Sequence, residues 1–374
     1  MPFLILLLTV ATYASVWNGK ADTKWYKDSE SEFTITTPEQ LAGLAKLVNG
    51  GNKFENKTVK LGANIMLNDT ANWQNWEKKK PKNKWKPIGF EKYKYYGAIG
   101  HVTLSNTTSN YFSGIFDGNG FVVSGVYVDS DEYAGLFGHI VRGTIKNLGV
   151  TASYIKGGGY TGGLVGNFKS GTMINCYFSG TVIGSWSVGG LTGNNTKGKV
   201  IDSYSTGMVT GKERVGGLVG ASNSGHIIGG YSTSTVVGDT IVGGLVGANS
   251  GTIINSYSNG TVTGREVAGG LVGIMYSNEI IGSYSSSMVA GGSTVGGFVG
   301  YIRRDGEIVN SYYDKETSRQ DYGIGEVEII GKYIIKGKSS AEMKRKEIYN
   351  DWDFDKTWGI DSKVNGGYPH LRTE

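Results

Sequence analysis

The sequence predicts an all-β solenoid: a right-handed parallel β-helix with coils of about 27 residues and short capping helices at both ends. Three observations predict this fold: a glycine-rich pentamer at a nearly constant interval, short β-type segments between its copies, and apolar residues that align from copy to copy. Each unit lacks a core of its own and must bury its apolar side on its neighbours. The right hand follows from the general rule for parallel crossover connections.

The recurring pentamer has the form Gly-Gly-Leu-Val-Gly. From Leu136 to Phe298 its central residue returns at steps of 28, 27, 27, 27, 26 and 27 residues. The full copies supply the structural repeat positions Gly163, Leu164, Gly190, Leu191, Gly217, Leu218, Gly244, Leu245, Gly270, Leu271, Gly297 and Phe298. We expect the leucines to face a narrow interior, and the glycine pairs to allow a positive φ or a close backbone approach at a corner.

Three other columns describe one coil. The first is aliphatic and holds Ile145, Met173, Val200, Ile227, Ile253, Ile280 and Ile308; the second is formed by Val182, Val209, Val236, Val262 and Val289. We expect both to be ladders inside the coils. A third column carries Asn147, Asn175, Asn255 and Asn310, which predicts a partial asparagine ladder at a turn. The single cysteine, Cys176, occupies a column of serine and glycine, so we interpret it as packing filler.

The chain divides into successive segments. Residues 1–14 are apolar and too short to span a bilayer, which predicts a secretory signal peptide and a secreted or cell-surface protein without a transmembrane segment in its mature form. Residues 15–57 form an N-terminal cap with a helix that opens at a capping box, Thr37 to Gln40. Residues 58–133 hold the first coils, residues 134–313 the repeat array, and residues 314–374 an aromatic C-terminal cap that closes the last coil.

An insertion at residues 68–111 interrupts the first coils. It is rich in aromatic and basic residues and includes Trp73, Trp76 and Trp85. Long loops of this composition either pack against the scaffold or bind ligands, and the sequence leaves both interpretations open.

A column of tyrosines runs along the array: Tyr177, Tyr204, Tyr231, Tyr257, Tyr284 and Tyr312. A small residue precedes each of them, so we expect the tyrosines to face outward. The column would then either shield strand edges or offer an aromatic strip to sugar rings or a protein partner. The candidate binding residues are Tyr204, Tyr231, Tyr257 and Tyr284, together with Trp73, Trp76 and Trp85.

The chemistry-bearing residues do not assemble into a recognisable catalytic pattern. One cysteine and four scattered histidines leave no Cys/His zinc site. The Gly-x-Gly-x-x-Gly match at residues 157–162 has no helix after it, and the carboxylates of the array do not converge on adjacent coils. We therefore expect no cofactor, no metal, no nucleic-acid partner and a non-catalytic function. The alternative is a polysaccharide-degrading lyase or glycosidase, since parallel β-helices also carry such enzymes.

The run from Val242 to Gly260 resembles the GLUG motif of bacterial secreted and surface proteins. The helical segment 37–51, the segment 85–89 and the closing Gly366-Gly367-Tyr368-Pro369 are also similar to such proteins. The resemblance implies an exported bacterial β-solenoid, often associated with adhesion, with an extracellular glycan or a host or cell-surface protein as partner. Some GLUG repeats occur beside IgA-cleaving metallopeptidase modules, but this sequence has no His-Glu-x-x-His, so the resemblance does not imply that activity here.

Overall fold

The computed structural model describes residues 15–96, 103–329 and 331–372, so the predicted signal peptide at residues 1–14 lies outside it. The described chain is a parallel β-solenoid of about 11 turns with coils of ~27 residues. This confirms the predicted fold class. Across these ranges, no helix has the length and apolar character needed to cross a membrane.

The coils build three parallel sheets of 23, 6 and 8 strands. The strands of the largest sheet are Glu32–Ile35, Thr58–Leu61, Ile65–Met66, Ile115–Asp117, Val122–Ser124, Tyr127–Asp129, Thr144–Lys146, Gly149–Lys156, Thr172–Ile174, Tyr177–Ile183, Lys199–Ile201, Tyr204–Gly211, His226–Ile228, Tyr231–Ser232, Thr235–Gly238, Thr252–Ile254, Tyr257–Ser258, Thr261–Gly264, Asn278–Ile281, Tyr284–Ser285, Met288–Gly291, Gly306–Asp314 and Lys332–Lys338. Those of the smallest are Thr161–Gly162, Val188–Gly189, Val215–Gly216, Ile241–Gly243, Val267–Gly269 and Thr294–Gly296. The third sheet consists of Phe137–Val141, Val165–Lys169, Thr192–Thr196, Val219–Asn223, Val246–Asn249, Val272–Met275, Val299–Ile302 and Ile324–Val327.

Smaller elements lie outside these sheets. Two antiparallel pairs join Phe90–Tyr96 to Thr103–Asn110 and Trp358–Gly359 to His370–Leu371. The α-helices are Pro38–Asn49, Lys315–Ser318 and Ser340–Met343, and the 3-10 helices are Trp73–Asn75, Lys346–Ile348 and Asn365–Gly367.

The interior is a stack of aliphatic ladders. Leu164, Leu191, Leu218, Leu245 and Leu271 have no exposed surface, and both predicted aliphatic columns are buried with them. In the described coils, no pentamer glycine has a positive φ. A Cβ at Gly217 would instead collide with the carbonyl oxygen of Gly244 in the next coil, so the glycine pairs serve close backbone approach.

The asparagine column marks a bend in each coil. Asn147, Asn175, Asn255 and Asn310 have φ values of 53°, 51°, 48° and 49°. Asparagine tolerates this left-handed conformation better than most residues, which explains its recurrence. The predicted amide ladder is partial: Asn175 Nδ2 lies 3.4 Å from Asn147 Oδ1.

The two ends differ from one another. At the N-terminal end, helix Pro38–Asn49 begins with the predicted capping box between Thr37 and Gln40. At the C-terminal end the sheets continue past the predicted limit at residue 313, because Ile324–Val327 and Lys332–Lys338 pair with the preceding coil. The prediction that the final aromatic residues plug the last coil is therefore wrong: they fold onto the outside of the coils.

Candidate binding site

The tyrosine column projects away from the interior. Within strand Tyr177–Ile183, burial alternates, and Tyr177 is half-buried between the buried Cys176 and Phe178. The ring centroids of Tyr177, Tyr204, Tyr231, Tyr257 and Tyr284 follow one another at 5.0, 4.7, 4.8 and 5.0 Å, with interplanar angles of 1° to 6°.

These rings present their edges and hydroxyl groups to the outside. Two rings lying side by side in one plane cannot approach this closely without overlapping, so the tyrosines must face one another along the solenoid axis. At the first ring, a Cβ on Gly149 would collide with the Tyr177 ring, which places the ring against the backbone of the preceding coil. The column therefore offers ring edges and hydroxyl groups, and the stacked rings leave no open ring face between them for a sugar.

The column has an open half and a covered half. Tyr177, Tyr204 and Tyr231 are half-buried, whereas Tyr257 and Tyr284 are 4% and 0% exposed. The covering residues belong to the segment 339–372, which we call the C-terminal cover. Its buried aromatic and apolar residues that form a cluster with the tyrosines are Met343, Tyr349, Phe354, Trp358 and Tyr368. Tyr257 and Tyr284, two of the predicted binding residues, are consequently not accessible to a partner.

The cover recognises the tyrosines through aromatic contacts and hydroxyl groups. Trp358 lies 6.0 Å from the Tyr284 ring and stacks on Trp352 at 4.4 Å. The Tyr284 hydroxyl donates to the carbonyl oxygen of Pro369 at 2.6 Å, and the Tyr312 hydroxyl donates to that of Ile348 at 2.7 Å. The column thus binds a polypeptide by packing its ring edges and by donating to peptide carbonyls.

A buried carboxylate anchors the start of the cover to the last coils. Asp314 accepts hydrogen bonds from Tyr368 Oη at 2.6 Å, Ser340 Oγ at 2.7 Å and the Thr317 amide at 2.9 Å. Burial opposes its ionisation, but the hydrogen bonds outweigh burial and lower the pKa of Asp314.

The tryptophans of the insertion act mainly as packing residues. Trp76 packs edge-on against Tyr127 at 5.9 Å, and Trp73 is half-buried against the same cluster. Trp85 is 2% exposed, and its Nε1 donates to the carbonyl oxygen of Leu136 at 3.0 Å. The structure thus favours the packing alternative for all three.

Two surface grooves lie beside the insertion. The first, of about 710 Å³, is lined by residues that include Trp17, Asn72, Asn75 and Lys79. The second, of about 750 Å³, is lined by residues that include Lys84, Lys86, Asp131, Glu132 and Tyr133.

Two titratable side chains, Asp129 and Cys176, are held in an ion pair and in the core respectively. Asp129 pairs with Lys80 at 2.9 Å, and this hydrogen bond is the main cause of its lowered pKa. Burial raises the pKa of the Cys176 thiol to about 12, so it is inert at neutral pH. No group of three or more metal-ligating side chains occurs among the described residues.

Sequence reasoning missed the cover and one exposed aromatic side chain. The high aromatic content of residues 349–368 was visible, but nothing in it indicated the outer face rather than the end of the solenoid. Trp186, which is 45% exposed, lies in a short corner segment outside every aligned column. The sequence did contain one signal for it: the adjacent coils have Gly159 and Glu213 at the position of Trp186.

Comparisons with known proteins bear on the fold. No family model matches the sequence, and no curated protein matches it either. A crystal structure of a Bacteroides ovatus protein described as a "putative immunoglobulin A1 protease" is similar, with a TM-score of 0.56 and 21% identity over 93% of this chain and 94% of that chain. A structure named "IgA1 Protease" gives a TM-score of 0.44 at 16% identity, with 84% of this chain matching 21% of the other. At these identities the first likeness shows a shared fold and no more.

Proposed function

We propose that this chain is a non-catalytic binding solenoid of the GLUG-repeat class, secreted or held at a bacterial cell surface, which binds a polypeptide partner along the open half of its tyrosine column. The observation that supports it most is the way the chain binds its own C-terminal cover. In the next three coils the same column already packs against the aromatic side chains of the cover, and there the hydroxyl groups of Tyr284 and Tyr312 donate to peptide carbonyls.

The open half has the same chemistry in the same register. Tyr177 pairs with Tyr204, Tyr204 with Tyr231, and Tyr231 with Tyr257, without a break at the boundary of the cover. Three half-buried rings leave their edges and hydroxyl groups at the surface. A partner with aromatic side chains and free carbonyl groups fits this surface better than a sugar, which needs an open ring face.

The likeness to proteins described as immunoglobulin A1 proteases provides the contrasting hypothesis of an enzyme. The absence of His-Glu-x-x-His from the sequence counts against a metallopeptidase of the kind found beside GLUG repeats. A polysaccharide-degrading activity is the other catalytic alternative, and a test of binding must therefore also detect turnover.

The test is to select, from a random phage-displayed library, the peptides that bind the full chain. We expect the selected peptides to be rich in Trp, Tyr and Phe, to bind wild type, and to lose binding to the double variant Tyr177→Ser/Tyr204→Ser. Tyr322→Ser is the matched control, because Tyr322 is 77% exposed and lies outside the column. Equal binding to the double variant would refute the site.

The same samples test catalysis. Mass spectrometry of the selected peptides, of immunoglobulin A1 and of a panel of plant and bacterial polysaccharides after incubation should show intact material. Cleavage of any of them by wild type would replace the binding proposal by an enzymatic one.

A further inference from the structure

We propose a second binding site, for a neutral oligosaccharide, on a corner of the solenoid formed by Tyr133, Tyr160, Trp186 and Arg214, which we call the corner strip. It is separate from the tyrosine column and does not depend on the polypeptide partner proposed above.

The coil register assembles the strip from consecutive coils. Ala134 pairs with Thr161, Thr161 with Val188, and Val188 with Val215. The residues just before these strands, Tyr133, Tyr160, Ser187 and Arg214, therefore lie in one row, with Trp186 beside Ser187. Tyr133 and Tyr160 stack at 4.9 Å and 21°, and Tyr133 is only 9% exposed, so the row begins with a packed pair of rings beside the exposed Trp186.

Trp186 is exposed where nothing in the coil requires an indole. It is 45% exposed, whereas Trp76, Trp85 and Trp358 are 4%, 2% and 1% exposed. The neighbouring coils use Gly159 and Glu213 at this position. The two neighbouring coils close without an aromatic side chain here, so the fold of this coil does not require the indole.

The indole is held in place by Arg214 of the next coil. The Arg214 guanidinium carbon lies 5.3 Å from the centre of the Trp186 ring, and Arg214 Nε lies 3.3 Å from Glu213 Oε1. Arg214 has a φ of 51°, an uncommon left-handed conformation for a long side chain.

The strip continues into the groove of about 750 Å³, of which Tyr133 is a lining residue. This volume lies within the range of small-ligand sites. Lys84, Lys86, Asp131 and Glu132 also line the groove, so charges of both signs surround it.

This combination selects the ligand class. The exposed indole favours the apolar face of a ligand, and the mixture of carboxylates and ammonium groups in the groove offers both acceptors and donors to hydroxyl groups. A polyanion would meet the carboxylates of Asp131 and Glu132, a polycation would meet the ammonium groups of Lys84 and Lys86, and an apolar peptide would pair with neither set. The hydroxyl groups of a neutral sugar chain donate to carboxylates and accept from ammonium groups, so a neutral chain matches this mixture of charges.

The test is fluorine NMR of the full chain labelled with 5-fluorotryptophan. The eight tryptophans give eight signals, and Trp186→Phe identifies the one from Trp186. The probes are neutral hexasaccharides of β-1,4-glucose, β-1,3-glucose, β-1,4-mannose and β-1,4-xylose, with a heparin hexasaccharide as the anionic comparison. We expect at least one neutral hexasaccharide to shift the Trp186 signal while the signals of the buried Trp76 and Trp358 stay in place.

Variants then test the strip itself. Arg214→Ala and Trp186→Ala should each weaken binding of that hexasaccharide roughly tenfold. Tyr322→Ala should leave it unchanged, and unshifted signals of the buried tryptophans establish that the variants are folded. The proposal is overturned if no neutral hexasaccharide moves the Trp186 signal, if only the heparin probe does, or if Arg214→Ala binds as wild type does.

Discussion

The two halves of the tyrosine column are the same structure in different surroundings. Tyr204 and Tyr284 occupy equivalent strand positions, and each stacks on its neighbour at about the same distance. One is half-buried and the other has no exposed surface. The difference arises from the C-terminal cover, which lies over the second half and not the first. Accessibility in a repeat protein is thus set by what lies outside the repeat, and equivalent residues can have different functions.

Alanine substitutions should separate the halves most strongly. We expect Tyr284→Ala to cost about 3–5 kcal/mol of unfolding free energy, because it removes a buried ring and its hydrogen bond to Pro369. Tyr204→Ala should cost only about 1 kcal/mol, the value of lost stacking. Urea unfolding followed by near-ultraviolet circular dichroism measures both, and equal costs would contradict a cover that is energetically part of the fold.

A corollary concerns paired truncations across the boundary. With an entirely outward and uncovered column, replacing Tyr231 and Tyr257 together would leave stability almost unchanged. The burial of Tyr257 reverses that expectation, so Tyr231→Ala/Tyr257→Ala should be clearly less stable than Tyr177→Ala/Tyr204→Ala.

Asp314→Asn should loosen the cover alone. We expect the unfolding free energy to fall by about 1.5–3 kcal/mol, the usual contribution of hydrogen bonds to a charged group. Because the pKa of Asp314 is lowered in the folded chain, the same stabilisation is present above the unfolded pKa of about 4 and is lost as the pH falls toward the folded pKa. Hydrogen exchange should then accelerate in residues 339–372, while the coils from Leu164 to Leu245 remain protected. Uniform acceleration over the whole chain would refute a separately anchored cover.

Alkaline titration should give the smallest but most direct contrast. Burial raises the pKa of Tyr284 well above 10, and it raises the pKa of Tyr257 for the same reason. Folding therefore retains protons that the unfolded chain releases above pH 10, so the stability contributed by these neutral phenols declines as the pH rises beyond 10. Absorbance at 295 nm should show the phenols of Tyr257 and Tyr284 ionising only as the cover detaches. Ionisation of all tyrosines in a single step at pH 10 would be inconsistent with the buried half.

The repeat could be predicted from sequence because its physical requirements recur in every coil. Leu218 aligns with a leucine on either side and is buried as they are. Asn175 was recognised as a turn residue, although its main requirement is the left-handed φ and not the amide ladder. The reason for the glycine pairs became clear only from the structure. The atom that a Cβ at Gly217 would strike first belongs to Gly244, a residue 27 positions away.

The candidate sites were harder to predict because they depend on contacts that occur once. No periodicity connects Tyr284 to Pro369, which are 85 residues apart. The direction of the tyrosines followed from the small residue before each one, but the stacking of ring on ring follows from the spacing between coils. Trp186 belongs to no column, and its importance depends on its exposure and on Arg214 in the next coil.

Because the cover contacts only the last coils, the number of coils before it can change without disturbing the cover. Its hydrogen bonds to the coils reach back to Asn259, and its apolar packing reaches back to the edge of Tyr231. A coil duplicated upstream, for example between Leu191 and Leu218, would meet the same leucine, aliphatic and tyrosine columns on both sides and leave every one of those contacts in place. The open row would gain one ring with each duplication, so recombination within the repeat could lengthen the exposed surface in discrete steps without redesigning either end.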